Sequence, residues 1–249
     1  MNSGGFFSRS EALLGETVMK RLAEARVLVV GVGGVGSWCA EALVRTGLGH
    51  ITLVDDDVVA ESNVNRQCPA TMETIGRAKV EAMAERLTAI NPGCKVEASN
   101  SRFSSAASFS RLASFDLIVD AIDSVDCKAE LILGATEAGI PIVSSMGAAL
   151  RLDPTKVKVT RFEKVEGDGL ARALRQRFKK LGRFPSTKFT CVWSAESPVG
   201  RSVPDRRGAQ GTARPTIGEG KGSLMQVTAV FGMCLASEAI KILTKGETK

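Results

Sequence analysis

Tyrosine is absent from this chain of 249 residues, and its aromatic side chains are ten Phe and two Trp. That scarcity argues against recognition of a nucleic-acid strand by rows of stacked rings. The single histidine, His50, opens an apolar run and reads as the start of a strand, not as a chemical group. No CxxC pair is present. The six cysteines (Cys39, Cys68, Cys94, Cys127, Cys191 and Cys234) are too scattered for a structural zinc or a disulfide framework. A long uncharged apolar run is also missing. The nearest candidate, Leu224 to Leu243, carries Glu238 and Lys241 and reads as a buried helix. The opening MNSGGFFSRSEALLG lacks the basic-then-apolar pattern of a leader. A reduced, cytoplasmic protein with no membrane attachment is expected. Neither charge sign dominates: 33 Lys and Arg against 27 Asp and Glu leave a net charge of +6, which permits a polyanionic partner without requiring one.

What is present is an alternation of strands and helices. Apolar, β-branched runs at Arg26–Gly31, His50–Asp55, Lys95–Ala98, Phe115–Ala121 and Pro141–Ser145 read as buried strands. Helical patterns separate them at Val35–Arg45, Met72–Ile90, Ser104–Leu112 and Val125–Ala138. The expected fold is α/β: a doubly wound, Rossmann-like, mostly parallel sheet. The C-terminal part extends it with strands at Val157–Arg161 and Lys188–Trp193, in which Phe189, Cys191 and Trp193 share a face. Between them, Asp168 is placed to cap a helix with Leu170, Leu174, Phe178 and Leu181 as its apolar stripe. Arg172, Arg175, Lys179 and Arg183 fall on the other side. Pro198–Gly222 reads as a long mobile loop, and Leu224–Leu243 closes the chain. One domain is expected, with a nucleotide-binding part over about 1–150 and a substrate-facing part over about 151–249.

Gly31-Val32-Gly33-Gly34-Val35-Gly36 follows a strand and opens a helix, as a phosphate-binding turn does. Asp55 ends the second strand, where a carboxylate can accept from ribose hydroxyls. To this point a nicotinamide enzyme fits as well as an ATP enzyme. Beyond it stand Arg66 and Lys79, cations suited to the greater charge of a triphosphate. Asp123 follows the fourth strand, at the edge of the sheet where such folds bind ligands, and one exposed carboxylate there suits Mg²⁺. The bland alternative treats Arg66 and Lys79 as solvated surface charges.

The ordered set GVGGVGS, LVDDD, SNVNRQ, the helix lysine and DAIDS resembles the ThiF-type adenylating family, over most of Phe6 to Gly147. The resemblance implies an ATP site at Gly31, Gly33, Gly34, Gly36, Asp55, Asp57, Ser62, Asn63, Arg66, Gln67, Lys79 and Asp123, with Mg²⁺ on Asp123. It also implies a homodimer in which Arg9 reaches across to the phosphates of the partner's site. Arg9, Arg66, Lys79 and Asp123 would then stabilise the pyrophosphate leaving group as a carboxylate attacks the α-phosphate. The chain departs from the family pattern at Phe6, Ser124 and Lys128.

Three features bear on which carboxylate is activated. The zinc-holding CxxC pairs of many sulfur-carrier adenylyltransferases are missing. No acid occurs from Gly169 to Ala195, and Arg201, Arg206, Arg207 and Arg214 add to a basic surface suited to a phosphate backbone. Finally, RTGLGHITLVDDD, LTAINPGCKV, MGAA with RLDPTKVKVT, and CVWSAESPV resemble a tRNA-modifying subgroup of the family. That subgroup activates the threonyl carboxylate of a modified adenosine and closes a ring with net loss of water. The rival reading is activation of the C-terminus of a sulfur-carrier or ubiquitin-like protein, with a carrier or sulfur-relay partner. An NAD(P)-dependent oxidoreductase is more distant, since it leaves Arg66, Lys79 and Asp123 unexplained. Cys191, and less so Cys127, are weighed as thiol nucleophiles against a plain packing role.

Overall fold

The computed structural model describes residues 5–103, 112–199 and 222–246. Seven strands form one sheet: β1 (Arg26–Val30), β2 (His50–Asp55), β3 (Lys95–Asn100), β4 (Leu117–Asp120), β5 (Ile142–Ser145), β6 (Val157–Arg161) and β7 (Thr190–Ser194). Their order is β3-β2-β1-β4-β5-β7-β6. Every neighbouring pair is parallel except β6 and β7. The α/β expectation holds, and the added strands continue the same sheet.

Strand side chains alternate between two cores, so both faces must be covered. Val27, Val29, Ile51, Leu53 and Val192 pack under α2 (Glu16–Glu24), α3 (Gly36–Thr46), α4 (Lys79–Ile90) and α7 (Met225–Leu243). Leu28, Val30, Ile118, Cys191 and Trp193 face α5 (Val125–Glu137) and α6 (Gly169–Leu181). A short α1 (Ser8–Leu14) precedes them and buries none of its residues. Among the described residues, α7 alone is long and apolar enough to cross a membrane, but Val227, Phe231, Leu235 and Ala239 on it belong to the core. A Cβ at Gly232 would sit 2.6 Å from the Val35 carbonyl oxygen, so α7 crosses α3 at backbone distance.

Two details differ from the sequence reading. The helix expected from Met72 begins at Lys79, because residues 71–77 form turns with Gly76 at φ +87° and leave Met72 and Ile75 exposed. Leu181 is exposed, and the buried stripe of α6 is Ala171, Leu174 and Phe178, with Asp168 capping the Ala171 amide as expected. The helix expected over 104–112 lies outside the described residues except at its last position. Most of the loop expected over 198–222, with Arg201, Arg206, Arg207 and Arg214, lies outside them too.

A charged cluster ties α3 to α4. The buried Glu41 carboxylate accepts from Arg45 Nε at 2.8 Å, Arg86 Nε at 2.6 Å and Cys68 Sγ at 2.8 Å. Burial opposes its charge, but the bonds from Arg86, Cys68 and Arg45 together outweigh that and bring the carboxyl down to about 2. The Cys68 thiol is pushed up to about 12, first by burial and then by the carboxylate. A carboxyl lowered on folding stabilises the protein above its unfolded pKa, and that share is lost as the pH falls toward the folded value. We therefore expect urea midpoints to decline between about pH 4.5 and 2 with a Glu41-dependent component that Glu41→Gln removes.

Candidate functional site

The sheet order reverses between β1 and β4, and the crevice at their carboxyl ends is where such folds bind ligands. At the end of β1, Gly31 has φ +90°, and a Cβ there would lie 2.6 Å from the Ala121 carbonyl oxygen. A Cβ at Gly36 would stand 1.9 Å from the Gly31 oxygen. These two glycines therefore let α3 start against the loop, while Gly33 and Gly34 face the crevice. Asp55 Oδ2 accepts from the Val32 amide at 2.6 Å and its Oδ1 from the Asp57 amide at 2.9 Å. The carboxylate is thus aimed by the glycine loop it is meant to work beside.

A cavity of about 1110 Å³ opens from this crevice, and Gly31, Gly33, Gly34, Asp55, Asp57, Asn63, Arg66, Gln67, Lys79 and Asp123 all line it. Lys79, the first residue of α4, is buried with its Nζ 2.6 Å from Asp57 Oδ2. Arg66 is oriented by bonds from its guanidinium to the Ser62 carbonyl and Asn65 Oδ1 at 2.8 and 2.9 Å, and its own carbonyl accepts from Trp38 Nε1. Asn63 Oδ1 accepts from the Ala60 amide. Gln67 is buried in the wall, and its Oε1 has no hydrogen-bond partner among the described residues. Three expected residues stand apart. Gly36 shapes the loop from behind, Ser62 serves through its carbonyl, and Arg9 lies on exposed α1 away from this cavity.

Two acidic positions could meet a divalent ion. Carboxylate oxygens of Asp55, Asp56 and Asp57 approach within 4.8 Å of one another. Asp55 and Asp57 are, however, committed to the Val32 amide and Lys79. Asp123 is exposed in the cavity wall and takes no hydrogen bond or ion pair from the described residues. A hydrated Mg²⁺ sharing phosphate oxygens suits the latter position.

Sequence reasoning missed what holds Asp123 in place. Asp120 and Lys128 form a fully buried ion pair at 2.8 Å. Asp120 also accepts from Ser144 Oγ at 2.6 Å and the Ile122 amide, while Lys128 Nζ donates to the Ile122 carbonyl at 2.9 Å. Lys128, one of the departures from the family pattern, therefore braces the loop carrying Asp123. The only signal was the first acid of DAIDS and a lysine eight residues after it, which cannot be told from surface charges in a single sequence. Arg151 and Asp168 also line the far end of the cavity, buried and 3.9 Å apart. Cys191 lies under the sheet, where burial pushes its thiol far up, so it packs as a small apolar residue. Cys127 is buried in the cavity wall and accepts from Arg102 Nε at 3.3 Å.

A glycine turn at a switch point, an aimed carboxylate and two oriented cations define a nucleotide-binding protein of the doubly wound α/β class. The ThiF family model matches residues 7–249, and the chain belongs to that family. It is 40% identical over 247 residues to a tRNA threonylcarbamoyladenosine dehydratase of Escherichia coli, covering 94% of this chain and 92% of the relative. A crystal structure of the Escherichia coli dehydratase in complex with ATP superposes with a TM-score of 0.81 at 36% identity, covering 96% of this chain and 93% of that one. A molybdopterin-synthase adenylyltransferase of Escherichia coli is 35% identical over 222 residues, covering 89% of this chain and 74% of the relative.

Removing Lys128 would leave Asp120 charged and buried. Lys128→Met is expected to cost on the order of 3–5 kcal/mol in denaturant melts, and Lys128→Met with Asp120→Asn much less. An equal loss in both variants would show that the pair does not brace this loop.

Proposed function

We propose that this chain dehydrates threonylcarbamoyladenosine in tRNA at the expense of ATP. The observation that carries the reading is the end-to-end similarity to a protein of that name, joined to a cavity that gathers ten of the expected ATP-site residues. The threonyl carboxylate attacks the α-phosphorus, pyrophosphate leaves, and an acyl-adenylate forms. The carbamoyl nitrogen of the same substrate then attacks the acyl carbon, loses its proton and expels AMP. One water equivalent is removed and a ring is closed. No enzyme nucleophile is needed, in keeping with the buried Cys191.

The glycine-loop amides receive phosphate oxygens, and Asp55 the ribose hydroxyls. Arg66 and Lys79 hold charge that grows on the departing pyrophosphate, already positioned before the reaction begins. Lys79 must exchange part of its bond to Asp57 for that role. Asp123 would hold Mg²⁺, which supplies charge neutralisation at the phosphates. Two copies of the chain would act together, with Arg9 of each completing the other's site. Exposed α1 supports this, since Leu13 on it is 84% exposed and Phe6 just before it 60%. The enzyme would work in the cytoplasm, among its tRNA substrates.

Purified protein incubated with ATP, Mg²⁺ and tRNA bearing threonylcarbamoyladenosine should convert that nucleoside to a species lighter by one water. Mass spectrometry of digested tRNA reads this directly, and omission of ATP should prevent it. Asp123→Ala should keep the melting temperature and lower turnover by about 100-fold or more. Full turnover in that variant would remove Asp123 from the site. An unchanged nucleoside from folded, ATP-binding protein would instead favour the rival reading, adenylation of a carrier-protein C-terminus, for which the likeness to an adenylyltransferase speaks.

A further inference from the structure

RNA entering this cavity must cross its rim, and the rim is electrostatically uneven. On one side stand Asp56, Asp57 and Asp123. The cations there are engaged: Lys79 with Asp57, Arg66 with the Ser62 carbonyl and Asn65, and Arg102 with Cys127 in the field of Asp56 and Asp126. The other side is the first turn of α6, whose Gly169, Leu170 and Ala173 line the cavity.

The cations of α6 and its C-terminal end divide by what they hold. Arg175 donates to the Phe162 and Val165 carbonyls and lies over the Phe162 ring at 4.9 Å, so it fastens the helix to the fold. Arg177 pairs with Asp126 at 2.9 Å and Arg183 with Glu137 at 2.7 Å. Arg172, Lys179 and Lys180 are exposed, and their side chains make no hydrogen bond or ion pair to the described residues. Arg172 and Lys179 are seven positions apart and share a face, with Lys180 beside them. At 1.5 Å per residue the stripe from Arg172 to Lys180 runs about 12 Å outward from the cavity, room for about three phosphates of one strand. Just beyond the helix, Phe184 is 60% exposed, a free ring on which a base can stack.

We infer that the strand next to the modified adenosine leaves the cavity along α6, its phosphates on Arg172, Lys179 and Lys180 and one base on Phe184. The inference rests on the tRNA reading above, and narrows the basic surface expected from sequence to three cations and one ring.

The test compares full-length wild type, the triple variant Arg172→Gln, Lys179→Gln, Lys180→Gln, a control with Lys20→Gln and Lys95→Gln on distant elements, and Phe184→Ala. Binding to tRNA bearing threonylcarbamoyladenosine is measured across a salt series, and ATP binding is measured alongside. The triple variant should bind tRNA about 10- to 100-fold more weakly at low salt, with the slope of log K against log salt reduced by about 2. Its ATP affinity should stay within about 2-fold, because these residues do not touch the nucleotide end. Phe184→Ala should weaken binding about 5-fold or more with an unchanged slope. An unchanged slope in the triple variant, or an equal loss in the control, overturns the path. No effect of Phe184→Ala overturns the stacking contact. If wild type dehydrates the tRNA and the triple slope is unchanged, the path alone fails; if wild type neither binds nor dehydrates it, the enzymatic reading fails as well.

Discussion

Two backbones meeting at Gly31 and Ala121 set the depth of the cavity. Because no Cβ intervenes, the ends of β1 and β4 close to contact and the chain can turn directly into α3. The Val32 amide then falls within reach of Asp55, and the carboxylate is fixed by the loop it faces. Gly36 and Gly232 extend the same economy backward, since each allows a backbone approach that any side chain would block. The cavity is thus a consequence of close packing at a switch in strand order, not a gap left between elements.

Two kinds of charged group stand out among the described residues. Glu41, bonded by the partly exposed Arg45 and Arg86, and Asp120 with Lys128 are enclosed and satisfied, and they hold helices and loops in register. Their net worth to stability is modest, but losing one member strands the other in a poor solvent for charge. Asp123, Arg172, Lys179 and Lys180 are exposed and uncommitted, and those are the groups that can exchange water for a charged ligand. Lys79 lies between, buried yet bonded to an exposed partner it can share.

Much of this was legible in the chain. The apolar run Arg26–Gly31 could be read as a buried strand, and GVGGVGS could be placed on a turn because that strand preceded it. The start of α4 was not legible: Met72 and Ile75 match a helical period yet are exposed, since Gly76 at positive φ breaks the run before Lys79. As the first residue of α4, Lys79 meets Asp57 through both its amide and its Nζ. Nor could sequence sort the arginines of α6, where Arg175 and Arg172 look alike until Phe162 and Val165 are seen to claim the former. Partnerships between residues distant in sequence, such as Arg183 with Glu137, leave no local trace.

The two ends of the sheet carry a different kind of information. β3 presents Lys95 and Glu97 at one edge, and β6 presents Lys158 and Arg161 at the other. Charged side chains along an unpaired edge make strand-by-strand extension costly, because each added chain would have to desolvate them. The antiparallel entry of β6 also breaks the parallel series there. Lengthening of the sheet by a further strand is thereby disfavoured at both of its described edges, and what these edges keep apart is strand from strand.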